Sequence, residues 1–111
     1  MFSPEQRLQW VKEIYKDEER VEGAIYEGLT IEFCKKIGAY FILRGIRYVS
    51  DFEYEKTIAD ANRTMDKKIE TIFLTGEPKY TSVASTIVRD IIKNGGDASP
   101  FLPEVVARSL E

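Results

Sequence analysis

The residues on which the fold turns are Tyr40-Phe41-Ile42-Leu43-Arg44-Gly45-Ile46-Arg47. Four apolar residues in a row at 40–43 predict a short strand buried on both faces, the pattern of a parallel sheet. The run ends abruptly at two arginines separated by Gly-Ile.

Downstream, Asp51 to Met65 predicts the longest helix, with Tyr54, Ile58, Ala61 and Met65 recurring at helical spacing. Thr71-Ile72-Phe73-Leu74 predicts a second short buried strand. A loop through Gly76, Pro78 and Tyr80 leads to a helix over 82–93, with Ala84, Ile87, Val88 and Ile91 as its core face. Asn94-Gly95-Gly96 ends that helix, and Pro103 to Leu110 predicts a last short one.

Upstream, Thr30 to Ile37 predicts a helix stopped by Gly38, with Lys35 and Lys36 suited to its C-terminal end. Val21 to Tyr26 alternates weakly and predicts a further strand. Ser3 to Glu18 predicts a helix capped by Ser3, with Pro4 at the first position, Gln6 completing a capping box, and a stripe of Leu8, Val11, Ile14 and Tyr15. Strands alternating with helices imply an α/β fold with a parallel sheet and right-handed crossovers. Three strands make a thin sheet, so either the domain is incomplete or a partner supplies the rest.

Composition narrows the function. At 111 residues, 43% apolar and 32% charged, the chain suits one small domain spanning 1–111. A net charge of -3 argues against a broad nucleic-acid footprint. Cys34 is the only cysteine, which fits a reducing cytosol. Histidine is absent, which removes Ser-His and Cys-His catalysis; no protein metal site is expected. No apolar run is long enough to span a bilayer, and no signal peptide is seen, so a cytoplasmic protein without membrane contact is expected.

Ligands of open parallel sheets bind beyond the carboxyl ends of the strands, and three features fall there. Arg44 and Arg47 offer planar contacts to phosphate, and Gly45 allows close backbone approach; the same arginines also read as surface residues paired with acids such as Asp51. The junction Tyr80-Thr81-Ser82-Val83-Ala84-Ser85-Thr86, with Arg89 a turn on, reads as an anion-binding helix start or as plain capping by Ser82 or Ser85. Glu55, Ile58 and Asn62 share one helix face, which reads as a ligand contact or as a solvated surface. Neither a Walker-type loop nor a G-x-G-x-x-G fingerprint occurs.

Taken together these segments are more specific. Ile42-Leu43-Arg44-Gly45-Ile46-Arg47, then Asp51-Phe52-Glu53-Tyr54-Glu55 and Asn62-Arg63, closely resemble bacterial phosphopantetheine adenylyltransferases. Val83-Ala84-Ser85-Thr86-Ile87-Val88-Arg89 is similar to that family's I-S-S-[ST]-x-[VI]-[RK] motif, and Phe101-Leu102-Pro103-Glu104 to its F-[IL]-P-E. The opening Met1-Phe2-Ser3-Pro4-Glu5-Gln6-Arg7 resembles an internal stretch preceding the family's second helix.

The resemblance implies a Rossmann-like nucleotidyltransferase fold and transfer of the adenylyl group of ATP to 4′-phosphopantetheine, giving dephospho-coenzyme A and pyrophosphate. It implies Mg²⁺ with ATP, coenzyme A as a further ligand, and a homo-oligomer, commonly a hexamer. Residue by residue, it implies Thr30, Arg44, Ile58 and Asn62 as substrate-binding residues. It implies Gly45, Ile46, Arg47, Glu55, Tyr80, Thr81, Ser82, Val83, Ala84, Ser85, Thr86 and Arg89 as ATP-binding, with Arg47 stabilising phosphate in catalysis.

The family begins with a strand, a G-x-F-D-P-x-T-x-G-H loop and a helix, and neither that motif nor a later phosphate-binding lysine of the family matches this sequence. A strand–loop–helix unit of roughly 30 residues is therefore expected to be missing. Ala84 also stands where the family usually has a hydroxyl. A truncated version of the full enzyme, inactive alone, is the expectation; a non-catalytic nucleotide or coenzyme A binding module and a degenerate structural subunit are the alternatives.

Overall fold

The structure is a computed structural model describing residues 1–111. In chain order it contains α1 (Pro4–Ile14), α2 (Thr30–Ile37), β1 (Phe41–Ile46), α3 (Val49–Met65), β2 (Glu70–Thr75), α4 (Ser85–Lys93) and α5 (Glu104–Ser109), with 3-10 turns at Pro78–Tyr80 and Ser99–Phe101. These gather into two compact units. One is Tyr26–Ser82; the other joins Met1–Ile25 to Val83–Glu111.

In the first unit β1 and β2 pair in parallel, in a register running from Phe41 opposite Glu70 to Ile46 opposite Thr75. The connection between parallel strands needs a crossover, and α3 supplies it. Helix α3 lies against both strands, and Phe52 meets Phe73 edge to face at 5.7 Å. Ile31, Cys34 and Ile69 form the small core, with Ala39 and Ile42 packed on it. Helix α2 stops at Gly38, whose φ of 72° is the left-handed conformation that glycine adopts without a Cβ penalty.

Three expectations change in this unit. Strand β1 does not end at Leu43 but continues through Arg44, Gly45 and Ile46, because the ladder to β2 extends that far. The strands are not buried on both faces: Phe41 is 65% and Leu43 62% exposed, and Ile72 and Leu74 on the same face are exposed too. Side chains alternate across a strand; Ile42 and Phe73 turn toward the covered face and these four turn away from it. On α3, Tyr54, Ile58, Ala61 and Met65 are exposed and Glu55 is the buried residue. A carboxylate can turn inward there because an arginine on the strand meets it.

In the second unit the Ser3 hydroxyl accepts from the Gln6 amide at 3.1 Å and Pro4 opens α1, as the capping pattern requires. The helix ends at Ile14, short of Glu18. Glu18 instead accepts from the Arg20 guanidinium at 2.8 and 2.9 Å and from its amide at 3.1 Å, which draws the chain into a turn and holds the Glu18 carboxyl down at about 2. Helix α1 packs on α5, and the half-buried Trp10 ring meets Phe2 at 4.9 Å.

Val21 to Tyr26 forms no strand. A strand exists through ladder bonds to a neighbour, whereas at Gly23 this segment closes on α1 so tightly that a Cβ would lie 2.8 Å from Leu8 Cδ1. Helix α4 begins at Ser85 rather than Ser82, because Thr81 is already bound back to Pro78 in the preceding turn and Ala84 is extended. Val88 is its buried residue, while Ile87 is exposed; Ala98 and Val106 are the other buried residues of this unit. No helix of either unit is long and apolar enough to cross a membrane.

Candidate active site

The parallel register sets the carboxyl ends of β1 and β2 side by side, with Ile46 opposite Thr75 and the Gly76 amide donating to the Ile46 carbonyl at 3.1 Å. Arg47 follows β1 there, and the turn at Pro78–Tyr80 follows β2. The Tyr48 hydroxyl donates to the Thr81 carbonyl at 3.4 Å, tying the Arg47 turn to the Tyr80-Thr81 loop. Chain segments 33 residues apart thus meet where open parallel sheets bind ligands. A Cβ at Gly45 would meet nothing within 4 Å, so the sheet face opposite Arg44 is open at this point of the strand.

Below this rim is a cleft of about 160 Å³ between β1, β2, α2 and α3. Thr30, Arg44, Ile58 and Asn62, all expected to bind substrate, line it together with Glu55, Ile42, Ala59 and Thr71. Its volume is below the ~300–1,000 Å³ of pockets that enclose a whole small molecule, so it suits one end of a ligand.

Arg44 reaches across from β1 to α3. Its Nε donates to Glu55 Oε2 at 2.9 Å and its Nη2 to Oε1 at 2.7 Å, the two parallel bonds of a bidentate pair. Glu55 is the buried partner, its side chain 11% exposed against 53% for Arg44. The pairing raises the Arg44 pKa further above its already high value. The solvated-surface reading does not hold for Glu55: its carboxylate is buried and bound to Arg44.

Arg47 meets Asp51, the acid that the surface reading of the pair anticipated. Asp51 Oδ2 accepts from the Arg47 amide at 3.0 Å, the Tyr48 amide at 3.2 Å and Arg47 Nε at 3.3 Å. These bonds, the Arg47 amide foremost, hold the Asp51 carboxyl below the usual carboxylate range.

Two contributors were not legible in the sequence. Tyr26 Oη lies 2.6 Å from Thr30 Oγ1, and its ring stacks on Phe33 at 4.4 Å, so it orients the Thr30 hydroxyl at the cleft wall. Tyr48 forms the bridge described above. Tyr26 stands in a segment expected to be a strand, and nothing in its spacing marks it as facing Thr30.

Val83, Ala84, Ser85, Thr86 and Arg89 belong to the other unit, where they open α4; Tyr80, Thr81 and Ser82 stay in the sheet unit. Ala84 is the N-cap and offers no side-chain oxygen, so neither Ser82 nor Ser85 caps α4 as the structural reading expected. Its carbonyl accepts from the Val88 amide at 3.0 Å. The first-turn amides lack a side-chain cap and stand at the positive end of the helix dipole, beside the exposed hydroxyls of Ser85 and Thr86.

No group of three or more carboxylate or thiol side chains gathers at one point. With Asp51 and Glu55 each bound to an arginine, the side chains of this chain do not fit a protein cage for Mg²⁺.

A parallel α/β sheet whose carboxyl edge carries paired arginines and an open loop is the arrangement of a nucleotidyltransferase, and residues 1–91 match the cytidylyltransferase-like family. The chain is similar to the phosphopantetheine adenylyltransferase of Flavobacterium psychrophilum, 55% identical over 106 residues that make up 96% of this chain and 70% of that protein. It is similar to that of Phocaeicola vulgatus at 50% identity, covering 93% and 68% of the two chains, and to that of Caldanaerobacter subterraneus at 42%, covering 99% and 69%. The chain belongs to the phosphopantetheine adenylyltransferase family, and spans about 70% of the length of these relatives.

Proposed function

We propose that this chain takes part in adenylyl transfer from ATP to 4′-phosphopantetheine, with dephospho-coenzyme A and pyrophosphate as products. The observation that carries the reading is that Thr30, Arg44, Ile58 and Asn62 line one cleft, with the Arg44 guanidinium held in a fixed plane. Arg44 is the proposed ligand of the pantetheine phosphate, and Ile58 and Asn62 the proposed wall for the arm that follows it.

In the reaction a phosphate oxygen of the acceptor attacks the α-phosphorus of ATP. The new P–O bond forms as the bond to the bridging oxygen breaks, and pyrophosphate leaves with that electron pair. Two polyanions must approach, so positioning and charge neutralisation supply most of the catalysis, and no covalent nucleophile is required. Arg47 is the proposed stabiliser of the ATP phosphates. Gly45, Ile46, Glu55 and Tyr80 to Thr86, with Arg89, are the proposed nucleotide contacts, the uncapped start of α4 offering amides to phosphate.

Mg²⁺ is proposed to arrive with ATP, carried by phosphate oxygens. A homo-oligomer, hexameric as the family resemblance implies, and a cytoplasmic location complete the proposal, with coenzyme A as a further ligand and no nucleic-acid or membrane partner. Calorimetry with ATP, 4′-phosphopantetheine and coenzyme A, beside an Arg44→Ala control and an assay of pyrophosphate release, tests it. Binding lost in the control supports the reading; no binding of any of the three at millimolar ligand sinks it. Binding without turnover is the outcome expected of a chain inactive alone, and turnover by the 111-residue chain overturns that expectation.

A further inference from the structure

We infer that Tyr48 is a positioning residue for the nucleotide, its hydroxyl holding the Tyr80-Thr81 loop at the sheet edge and its ring bracing Arg47. The inference rests on the functional reading above, which assigns Arg47, Tyr80 and Thr81 to ATP and gives Tyr48 no part. Tyr48 follows Arg47 directly and is the extended N-cap of α3, at φ -130° and ψ 161°. Its amide donates to Asp51 Oδ2 at 3.2 Å, which fixes the backbone from which the side chain departs. The ring centroid lies 5.8 Å from Arg47 Cζ, inside the ~6 Å reach of a cation near an aromatic face. The hydroxyl crosses to the loop after β2 and donates to the Thr81 carbonyl at 3.4 Å. One side chain thus touches the proposed phosphate-stabilising arginine and the proposed nucleotide loop.

Inside the loop the Tyr80 and Thr81 amides donate to the Glu77 and Pro78 carbonyls at 2.9 and 3.2 Å, and Lys79 meets the Glu77 carboxylate and the Tyr80 ring. These contacts are local and shape the loop. The Gly76 amide on the Ile46 carbonyl and the Tyr48 hydroxyl on Thr81 are bonds that relate it to the β1 edge. A loop held at its start alone samples many positions, and ordering it on binding lowers affinity. The tether at Thr81 orders it before the nucleotide arrives. At 3.4 Å the bond is long for an O–H donor, and Tyr48 is 51% exposed, so loss of the hydroxyl strands no buried group and barely touches folding. Hydrogen bonds that are long in a ligand-free active site tighten in the complex, which puts the effect on nucleotide binding. The cleft of Thr30, Arg44, Ile58 and Asn62 does not include Tyr48, so acceptor binding is independent of it.

The test uses the full 111-residue chain. Wild type, Tyr48→Phe and Tyr48→Ala are titrated separately with ATP and with 4′-phosphopantetheine by calorimetry. Hydrogen exchange at the Tyr80 and Thr81 amides and the urea midpoint are read on the same three proteins. Tyr48→Phe keeps the ring beside Arg47 and removes the tether. It is expected to exchange faster at the two loop amides and to bind ATP about three-fold more weakly, with acceptor binding and the urea midpoint unchanged. Tyr48→Ala removes the ring as well, and about ten-fold weaker ATP binding is expected, again with acceptor binding unchanged. ATP affinity equal to wild type in Tyr48→Phe overturns the inference, whatever the exchange shows. So does equal weakening of both ligands together with a lower urea midpoint, the mark of a residue that serves only the fold. A wild type that binds no ATP overturns the functional reading and this inference with it; a wild type that binds ATP, beside two indifferent variants, overturns the inference alone.

Discussion

Asp51 Oδ2 lies 3.0 Å from the Arg47 backbone nitrogen and 3.3 Å from its Nε, so one carboxylate oxygen fixes both the main chain and the guanidinium of the same residue. The bond from the Tyr48 amide to that oxygen also anchors the start of α3. The Asp51 carboxyl is therefore held below the usual range in the folded chain. A group with a depressed folded pKa contributes stability above the unfolded carboxylate value of about 3.9, and that contribution is lost as pH falls through the lower folded value. The ¹³C shift of the Asp51 carboxyl should titrate below an unfolded reference peptide. Asp51→Asn should remove that dependence and release Arg47, weakening ATP binding several-fold.

Arg44→Ala should do two things at once. It removes the guanidinium from the cleft, so 4′-phosphopantetheine should lose its advantage over pantetheine. It also leaves the buried Glu55 carboxylate without its partner. Breaking a fully buried pair costs about 3–5 kcal/mol; with Arg44 half exposed, a loss of about 1–3 kcal/mol in urea unfolding is expected.

Tyr26→Phe keeps the ring that stacks on Phe33 and removes the hydroxyl beside Thr30. The lost hydrogen bond is worth about 1 kcal/mol, so acceptor affinity should fall roughly five-fold with little change in ATP affinity. Calorimetry of the two ligands separates these outcomes.

Ala84→Ser should stabilise the chain by about 1 kcal/mol, because it supplies the side-chain acceptor that the α4 N-cap lacks. The hydroxyl would occupy a first-turn amide now open to an anion. Thermal denaturation with and without sulfate should therefore show higher stability and a smaller gain from the anion in the variant.

The exposed sheet face should behave as a sticky patch. Phe41, Leu43, Ile72 and Leu74 present apolar side chains on one side of β1 and β2. The chain should bind a hydrophobic dye and associate as its concentration rises. Leu43→Lys should reduce both in fluorescence and sedimentation measurements, while changing stability by no more than about 0.5 kcal/mol, since the side chain is already in solvent.

Much of this was legible in the residues. Helix α2 was bounded by the glycine at 38 and α1 opened by the Ser-Pro pattern at 3–4, because caps and glycine stops act through local backbone chemistry. The helix and strand order around 40–75 followed from periodicity. The orientation of α3 did not. Its apolar stripe predicted the buried face, yet Glu55 turns inward, since the energy of burying a carboxylate depends on an arginine eleven positions away that periodicity does not weigh. Val21 to Tyr26 failed as a strand for a related reason: pairing is a property of two segments, and alternation in one of them cannot supply the other.

By itself the sequence determined the local elements, the single cysteine, the lack of histidine and the arginine-bearing edge at 44–47, each a matter of residue type or short-range spacing. Only the tertiary structure decided that Arg44 is clamped by Glu55, that Tyr26 reaches the Thr30 hydroxyl, and that Thr30, Ile58 and Asn62 line one cleft. Those relations depend on how strands in register and a helix across them bring distant side chains within hydrogen-bond reach, where distance and direction set the energy.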